Sequence, residues 1–429
     1  MGRILRIVLV AVLALIVWTA GVVAAALEGW GRRPLAPAGD ARAFATAAIA
    51  QADAARPGNL ALVLLDDGRV LDTHFTSTGE PVDGDTLFQV ASLSKWVTAW
   101  GVMRLVEAGK LDLDAPVSTY LTRWSLPASD FDNGKVTVRR LLSHTAGLTD
   151  GLGYGGFPPG RPVQTIEQSL TRAADASPGH DGIVRVGAEP GSRFEYSGGG
   201  YTLLQLVIEE VSGRPFDAYM KQDVFRPLGM TRSTFDIDTA PPGNVAASYD
   251  AHGRPATLYR FTGLAAASLY TSAADMTRFL QAHLPGPNGE PPGWGVLKPE
   301  TLEAMRRPEA RQMGADIWGL GTMLYAPNNA GGFIIGHDGN NEPEINTAAR
   351  IDPNTGDGIV VLETGAPLLA TRLGGEWIFW RTGNVDFTTL LMEAGDLLKR
   401  LAAGWTVIVL AGAVAAWRWR RPRAKAVAP

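Results

Sequence analysis

Two apolar stretches bracket this chain and constrain it more than any other feature. Residues 7–27 are apolar almost throughout, and residues 401–417 form a second run near the other end. About 20 apolar residues suffice for a helix to cross the hydrocarbon core of a bilayer. The first run has that length and the second is at its short end. A secretory signal has a shorter apolar core, about 7–15 residues, and a small-residue cleavage site, which Ala24-Ala25-Ala26 supplies. Length favours an uncleaved anchor, and under either reading the domain that follows leaves the cytoplasm. Arg3 and Arg6 precede the first run, while Arg418, Arg420, Arg421, Arg423 and Lys425 follow the second. Trp405 and Trp417 stand near the ends of the second run, as interfacial aromatics do. Basic flanks put both termini on the cytoplasmic side and everything between outside, although Arg32 and Arg33 just past the first run act against this. The competing reading of 401–417 is a buried C-terminal helix of the globular part.

The 429 residues are ample for a large core, either one large domain or two lobes. Net charge is −4, and the one concentrated basic patch lies beside an apolar run, so the balance points to a membrane and not to nucleic acid. Cysteine is absent, which removes disulfides, thiolate metal sites and a cysteine nucleophile.

The chain reads as an anchor or signal segment (1–27), a Gly/Pro/Ala linker (28–39), a globular domain (40–385), and an amphipathic connector, membrane helix and basic tail (386–429). Asp40 caps a helix over 41–55. Strands at 60–65 and 70–75 flank Asp66-Asp67-Gly68-Arg69, a hairpin signal. Residues 115–235 read as a helical, loop-rich lobe. A helix is expected over 202–211 and another over 276–283 behind a capping box at Ser272-Ala273-Ala274-Asp275. Strands are expected at 333–336 and 358–362, and a last helix over 367–380. Gly151-Leu152-Gly153-Tyr154-Gly155-Gly156 has the spacing of a dinucleotide fingerprint, but it follows no clear strand and opens no helix, so it reads as a loop.

Ser92-Leu93-Ser94-Lys95 opens an apolar run over 96–108 that Gly109 ends, the pattern of a buried helix. A spacing of three puts Ser92 and Lys95 on one face of the first turn. A serine hydroxyl is a weak nucleophile until a base takes its proton, and a lysine with a lowered pKa can do so. By itself the pair is a common pattern that also describes an N-cap serine and a surface lysine.

Two further motifs follow in order, Tyr196-Ser197-Gly198 and His337-Asp338-Gly339. With Phe88–Lys95, Leu141–Leu148, Val224–Met230 and Leu269–Asp275, they make residues 40–382 resemble the serine β-lactamase and penicillin-binding protein superfamily, particularly its class C-like branch of esterases and peptidases. The resemblance implies an α+β fold of the β-lactamase/transpeptidase kind. An antiparallel sheet is flanked by helices and joined by a mostly helical lobe, here with N- and C-terminal membrane helices. It implies acyl transfer through a covalent acyl-enzyme. Ser92 is then the nucleophile, Lys95 its activating partner and Tyr196 the second proton carrier, with the base in each half-reaction open between the last two. The oxyanion hole would be the backbone N–H groups of Ser92 and Asn340. Ser197, Gly198, His337, Asp338 and Gly339 would line the substrate. No metal or other cofactor is implied.

Two departures bear on the substrate. Gly198 stands where the family usually has an asparagine that touches the acyl side chain. His337 and Asp338 stand where lactam-binding members usually carry Lys and Thr to hold a carboxylate. A carboxylate at about 4 Å from Asp338 would be repelled by about 4 kcal/mol at an effective dielectric near 20. The expected substrate is therefore an ester, or an amide lacking that carboxylate. His144 is expected to bond backbone and to stand outside the site. The leading reading is a membrane-anchored serine hydrolase on the periplasmic or exterior side, acting on a small-molecule or peptide acyl substrate. A second is a catalytically lapsed module that binds an envelope ligand or partner, motivated by Gly198 and Asp338. A metal or Ser-His-Asp hydrolase ranks behind, since neither His-Glu-x-x-His nor Gly-x-Ser-x-Gly occurs.

Overall fold

The structure, a computed structural model, describes residues 2–55, 58–151, 154–240, 243–342 and 344–420. The chain divides into two compact units, Leu35–Thr382 and the joined ends Met1–Pro34 with Gly383–Pro429.

In the larger unit the Asp40 carboxylate accepts from the Ala43 N–H (2.9 Å) at the start of α1, Ala41–Ala55. The hairpin follows as β1 (Asn59–Asp66) and β2 (Arg69–Thr76), with Asp67 and Gly68 both at positive φ, as a tight two-residue turn requires. Helix α2, Ser94–Glu107, has ten consecutive buried residues from Ser94 to Met103, so its sequence is apolar on every face. Gly109 leaves it at φ +66°. Helix α3, Gly198–Ser212, begins four residues earlier than the pattern suggests, because the Ser197 hydroxyl caps it by accepting from the Gly200 N–H. Ser272 caps α4, Ala273–Gln281, but the capping box is only half formed. The Asp275 carboxylate turns instead to the Arg232 and Ser233 amides, both within 2.9 Å.

Six further strands are β3 (Ala310–Gln312), β4 (Ala315–Trp318), β5 (Met323–Pro327), β6 (Phe333–Asn341), β7 (Ile345–Ile351) and β8 (Gly358–Thr364). Among the described residues they join the hairpin in one antiparallel eight-stranded sheet, ordered β2-β1-β8-β7-β6-β5-β4-β3. Helix α5, Leu369–Thr382, packs on β7 and β8, with α1 beside it. Ala61, Val63, Ile335, Ala349, Val360 and Leu362 belong to the main core, which also holds Trp96 and Trp100 of α2. The alternate residues Leu62, Ile334, Ala348 and Val361 are equally buried and lie outside it, on the opposite face of the pleat. Both faces of the sheet are thus covered, which explains strands that read as continuous apolar runs.

In the end unit, the helices Arg3–Leu27 and Ala394–Arg420 each carry a stretch long and apolar enough to cross a membrane. The second starts well before residue 401, so much of the expected connector is helix. The tail from 421 lies outside the described residues, as do Leu152 and Gly153 of the fingerprint-like loop. The two helices pack antiparallel. A Cβ on Gly404 would lie 2.1 Å from the Trp18 indole, so only glycine fits beneath that ring. The Trp405 indole N–H donates to the Thr19 hydroxyl (2.9 Å), and Arg32 pairs with Glu393.

Candidate active site

The site is built where α2, the segment before α3 and strand β6 meet. Ala91, at φ +47°, turns the chain sharply from Val90 into Ser92. A non-glycine residue in that region carries strain of about 1–3 kcal/mol and is found where structure around it enforces it. Ser94 secures the turn, with its hydroxyl donating to Ala91 O (2.5 Å) and accepting from the Leu269 N–H (2.9 Å).

Lys95 is buried, and its Nζ donates to Ser92 Oγ (3.0 Å) and to Ala266 O (2.7 Å). Burial disfavours the ammonium form and lowers the Lys95 pKa to about 7, against a smaller opposing pull from the buried Asp150. The free-base form of Lys95 is therefore accessible near neutral pH. The Tyr196 hydroxyl is within hydrogen-bonding reach of Ser92, and Lys95 Nζ lies 4.9 Å from the Tyr196 ring centre. Burial raises the Tyr196 pKa, so this phenol holds its proton. Ser92, Lys95 and Tyr196, drawn from positions 104 residues apart, thus share one hydroxyl-centred cluster. Such a cluster can deprotonate a serine on one side and protonate a leaving group on the other.

Strand β6 runs through the third motif. Strand β5 pairs with it only from Phe333 to Gly336, so among the described residues no strand flanks 337–341 on that edge. The Gly336 carbonyl faces the β5 side, where it accepts from Thr322 (3.3 Å). Strand alternation then turns the Asn340 N–H toward the same open edge. Gly339 lies against the Ser92 turn, where a Cβ would come within 2.0 Å of Val90 O and 2.5 Å of Thr347 Oγ1. Thr347 itself donates to Val90 O (2.9 Å).

His337 is buried, with Nδ1 2.6 Å from the Asp338 carbonyl. That contact requires a proton on Nδ1 and leaves Nε2 with its lone pair. Burial lowers the His337 pKa to about 3, with Lys95 adding to the effect, so His337 is neutral at physiological pH.

Asp338 points to the opposite face of the sheet, and its carboxylate does not come to the Ser92 side. It accepts from Arg350 (2.7 Å) and from the Tyr325 hydroxyl (2.7 Å), and Arg350 is fully buried beneath α5. The repulsion expected between Asp338 and a substrate carboxylate therefore does not operate. Ser197 is also spent within the protein, since its hydroxyl donates to Asp150 while capping α3. Gly198 lies in the first turn of α3, next to the cluster.

Two residues join the site that the sequence reading left out. His144 stacks on Tyr196, ring centres 4.2 Å apart at 26°, and its Nδ1 accepts from the Ser197 N–H (3.1 Å). Trp318 meets the rings of His144 (4.8 Å) and His337 (5.3 Å) edge-on. Nothing in the local spacing marks either one, because their partners lie far off in sequence. Among the described residues no group of three or more His, Cys, Asp or Glu side chains is placed to hold a metal ion.

The family profile described as Beta-lactamase matches residues 45–376, which include all three motifs. The chain belongs to the beta-lactamase family. Relatives within this family of serine hydrolases carry different names. Esterase EstB of Burkholderia gladioli is 30% identical over 284 residues, 57% of this chain and 67% of that protein. Penicillin-binding protein 4 of Amycolatopsis lactamdurans is 29% identical over 300 residues, 67% of this chain and 74% of that protein. The chain spans only about half the length of some others, 47% of the Bacillus subtilis protein PbpX. Among solved structures, the octameric penicillin-binding protein homologue of Pyrococcus abyssi aligns with a TM-score of 0.65 at 25% identity, over 81% of this chain and 78% of that one. The α+β fold of the family and the resemblance of the three motifs are thereby borne out.

Proposed function

We propose that this chain is a membrane-anchored serine hydrolase that works through an acyl-enzyme at Ser92 and prefers carboxylic esters to β-lactams. The observation that carries the reading is the buried Lys95 amine 3.0 Å from Ser92 Oγ, with the Tyr196 hydroxyl within hydrogen-bonding reach of the same serine. Lys95 takes the Ser92 proton as Oγ bonds to the substrate carbonyl carbon. The negative charge that develops on the carbonyl oxygen meets the Ser92 and Asn340 N–H groups, fixed donors of the kind that contribute about 10²–10³ each in rate. Tyr196 gives a proton to the departing alkoxide and is reprotonated from Lys95. Water then attacks the acyl-enzyme by the same route in reverse. The pKa directions support this division, since the low-pKa amine suits the base and the high-pKa phenol suits the acid.

The ester preference rests on charge. His337 is neutral and carries a lone pair, and the Arg350 cation is paired with Asp338 on the far face, so neither offers a substrate carboxylate a positive charge. With Asp338 turned away, the lapsed-module reading loses half of its motive, and only Gly198 remains for it. Measured side by side, kcat/KM for p-nitrophenyl butyrate should exceed that for a chromogenic cephalosporin by about 100-fold or more, the scale set by an unmet charged contact. A cephalosporin turned over as fast as the ester would refute the preference.

The anchor reading rests on the two apolar helices, whose interface holds Trp18 over Gly404. It places the catalytic domain on the extracytoplasmic side, between two cytoplasmic termini. Both helices should remain with the membrane fraction, and its intact mass should include the N-terminal helix. A membrane-extracted chain starting near Leu27 would show a cleaved signal instead.

A further inference from the structure

His144 grips the segment that presents Tyr196 at three successive residues. Its carbonyl accepts from the Glu195 N–H (2.8 Å), its ring stacks on Tyr196 (4.2 Å), and its Nδ1 accepts from the Ser197 N–H (3.1 Å). Because Nδ1 accepts from an amide, the imidazole proton sits on Nε2. Burial and the neighbouring Lys95 and His337 lower the His144 pKa well below its usual value, so the ring stays neutral beside the Lys95 amine. The ring is itself confined, with Trp318 edge-on at 4.8 Å, Tyr201 at 5.2 Å and Phe194 at 5.8 Å. His144 holds φ +55°, a left-handed conformation that a non-glycine residue adopts only under constraint.

We propose that His144 is a positioning residue for Tyr196: its carbonyl, ring and Nδ1 together clamp residues 195–197 and fix the direction from which the phenol hydroxyl meets Ser92. The inference rests on the reading of Tyr196 as the second proton carrier. A phenol can swing on its side-chain torsions, and misplacing a proton donor by about 1 Å costs about 100-fold in rate. A passive ring stack would be served equally by phenylalanine. Only a group with an acceptor at Nδ1 also holds the Ser197 amide, and that amide belongs to the cap that starts α3.

The test uses the full chain in detergent and compares His144→Asn, which can keep an acceptor but loses the ring, with His144→Phe, which keeps the ring but loses the acceptor. Both should lower kcat for p-nitrophenyl butyrate about 10- to 100-fold, with KM within about threefold of wild type. The same substitutions made in a Tyr196→Phe background should change kcat by less than about twofold, because a residue acting through Tyr196 has nothing left to position. Equal losses in both backgrounds, or losses carried by KM, would overturn the clamp. If one variant melts without cooperativity, the other still decides between additive and non-additive behaviour. A wild-type chain that takes up no acyl group would overturn the acyl-enzyme reading and His144's role with it. Normal acylation with additive losses would overturn the clamp alone.

Discussion

A Lys95→Met chain is expected to hydrolyse p-nitrophenyl butyrate about 10²–10⁴-fold more slowly than wild type, the range that a positioned base contributes. In wild type, log kcat/KM should rise with unit slope at pH values below about 7, the pKa to which burial lowers Lys95, bend there and level off above it. The same substitution should raise thermal stability. Lys95 titrates near 7 when folded and near its ordinary 10.5 when unfolded, so between those values the unfolded chain binds more protons and wild-type stability rises with pH. Burying the ammonium form is therefore most costly below pH 7. The gain from Met should be full there and should fade as pH approaches 10.5. A structural lysine would show the opposite, a loss of stability without a change in the pH profile. Melting temperatures and kcat/KM of both chains across pH 5–10 separate the two.

The second large effect is expected at Gly339. An alanine there would drive its Cβ to 2.0 Å from Val90 O and 2.5 Å from Thr347 Oγ1. Backbone occupies the nearer position, so strand β6 or the Ser92 turn has to move. Overpacking of this kind costs about 1–3 kcal/mol in stability. The shift also separates the Asn340 N–H from Ser92, and losing one oxyanion donor lowers kcat about 10²–10³-fold. Gly339→Ala should thus melt lower and acylate far more slowly while still binding substrate. An alanine variant that acylates at the wild-type rate would mean that the close approach of β6 to Val90 is not what aligns the two amides.

Much of this arrangement was legible in the sequence, for reasons tied to particular residues. Asp40, the Asp67-Gly68 turn and Gly109 act locally, so they marked α1, the first hairpin and the end of α2. The three motifs were found because their order and wording resemble a known family. The strands β3, β4 and β5 were not found, since they are three to five residues long and take their register from neighbours. The direction of Asp338 was hidden for another reason. Which face of a strand a residue takes depends on register, and Arg350, its partner, lies on a different strand. The same holds for His144: its backbone bonding is a local matter, but its stack on Tyr196 joins elements far apart in the chain.

The account turns on Ser92 as a living nucleophile, and the most direct measurement is intact mass after mixing the full chain with a short activated acyl ester. Wild type should gain the mass of one acyl group when the reaction is quenched within the first turnovers, before the acyl-enzyme is hydrolysed. Ser92→Ala should gain none. An equal gain in both chains would place the acyl group elsewhere, and no gain in a folded wild-type chain would leave a binding protein in place of a hydrolase.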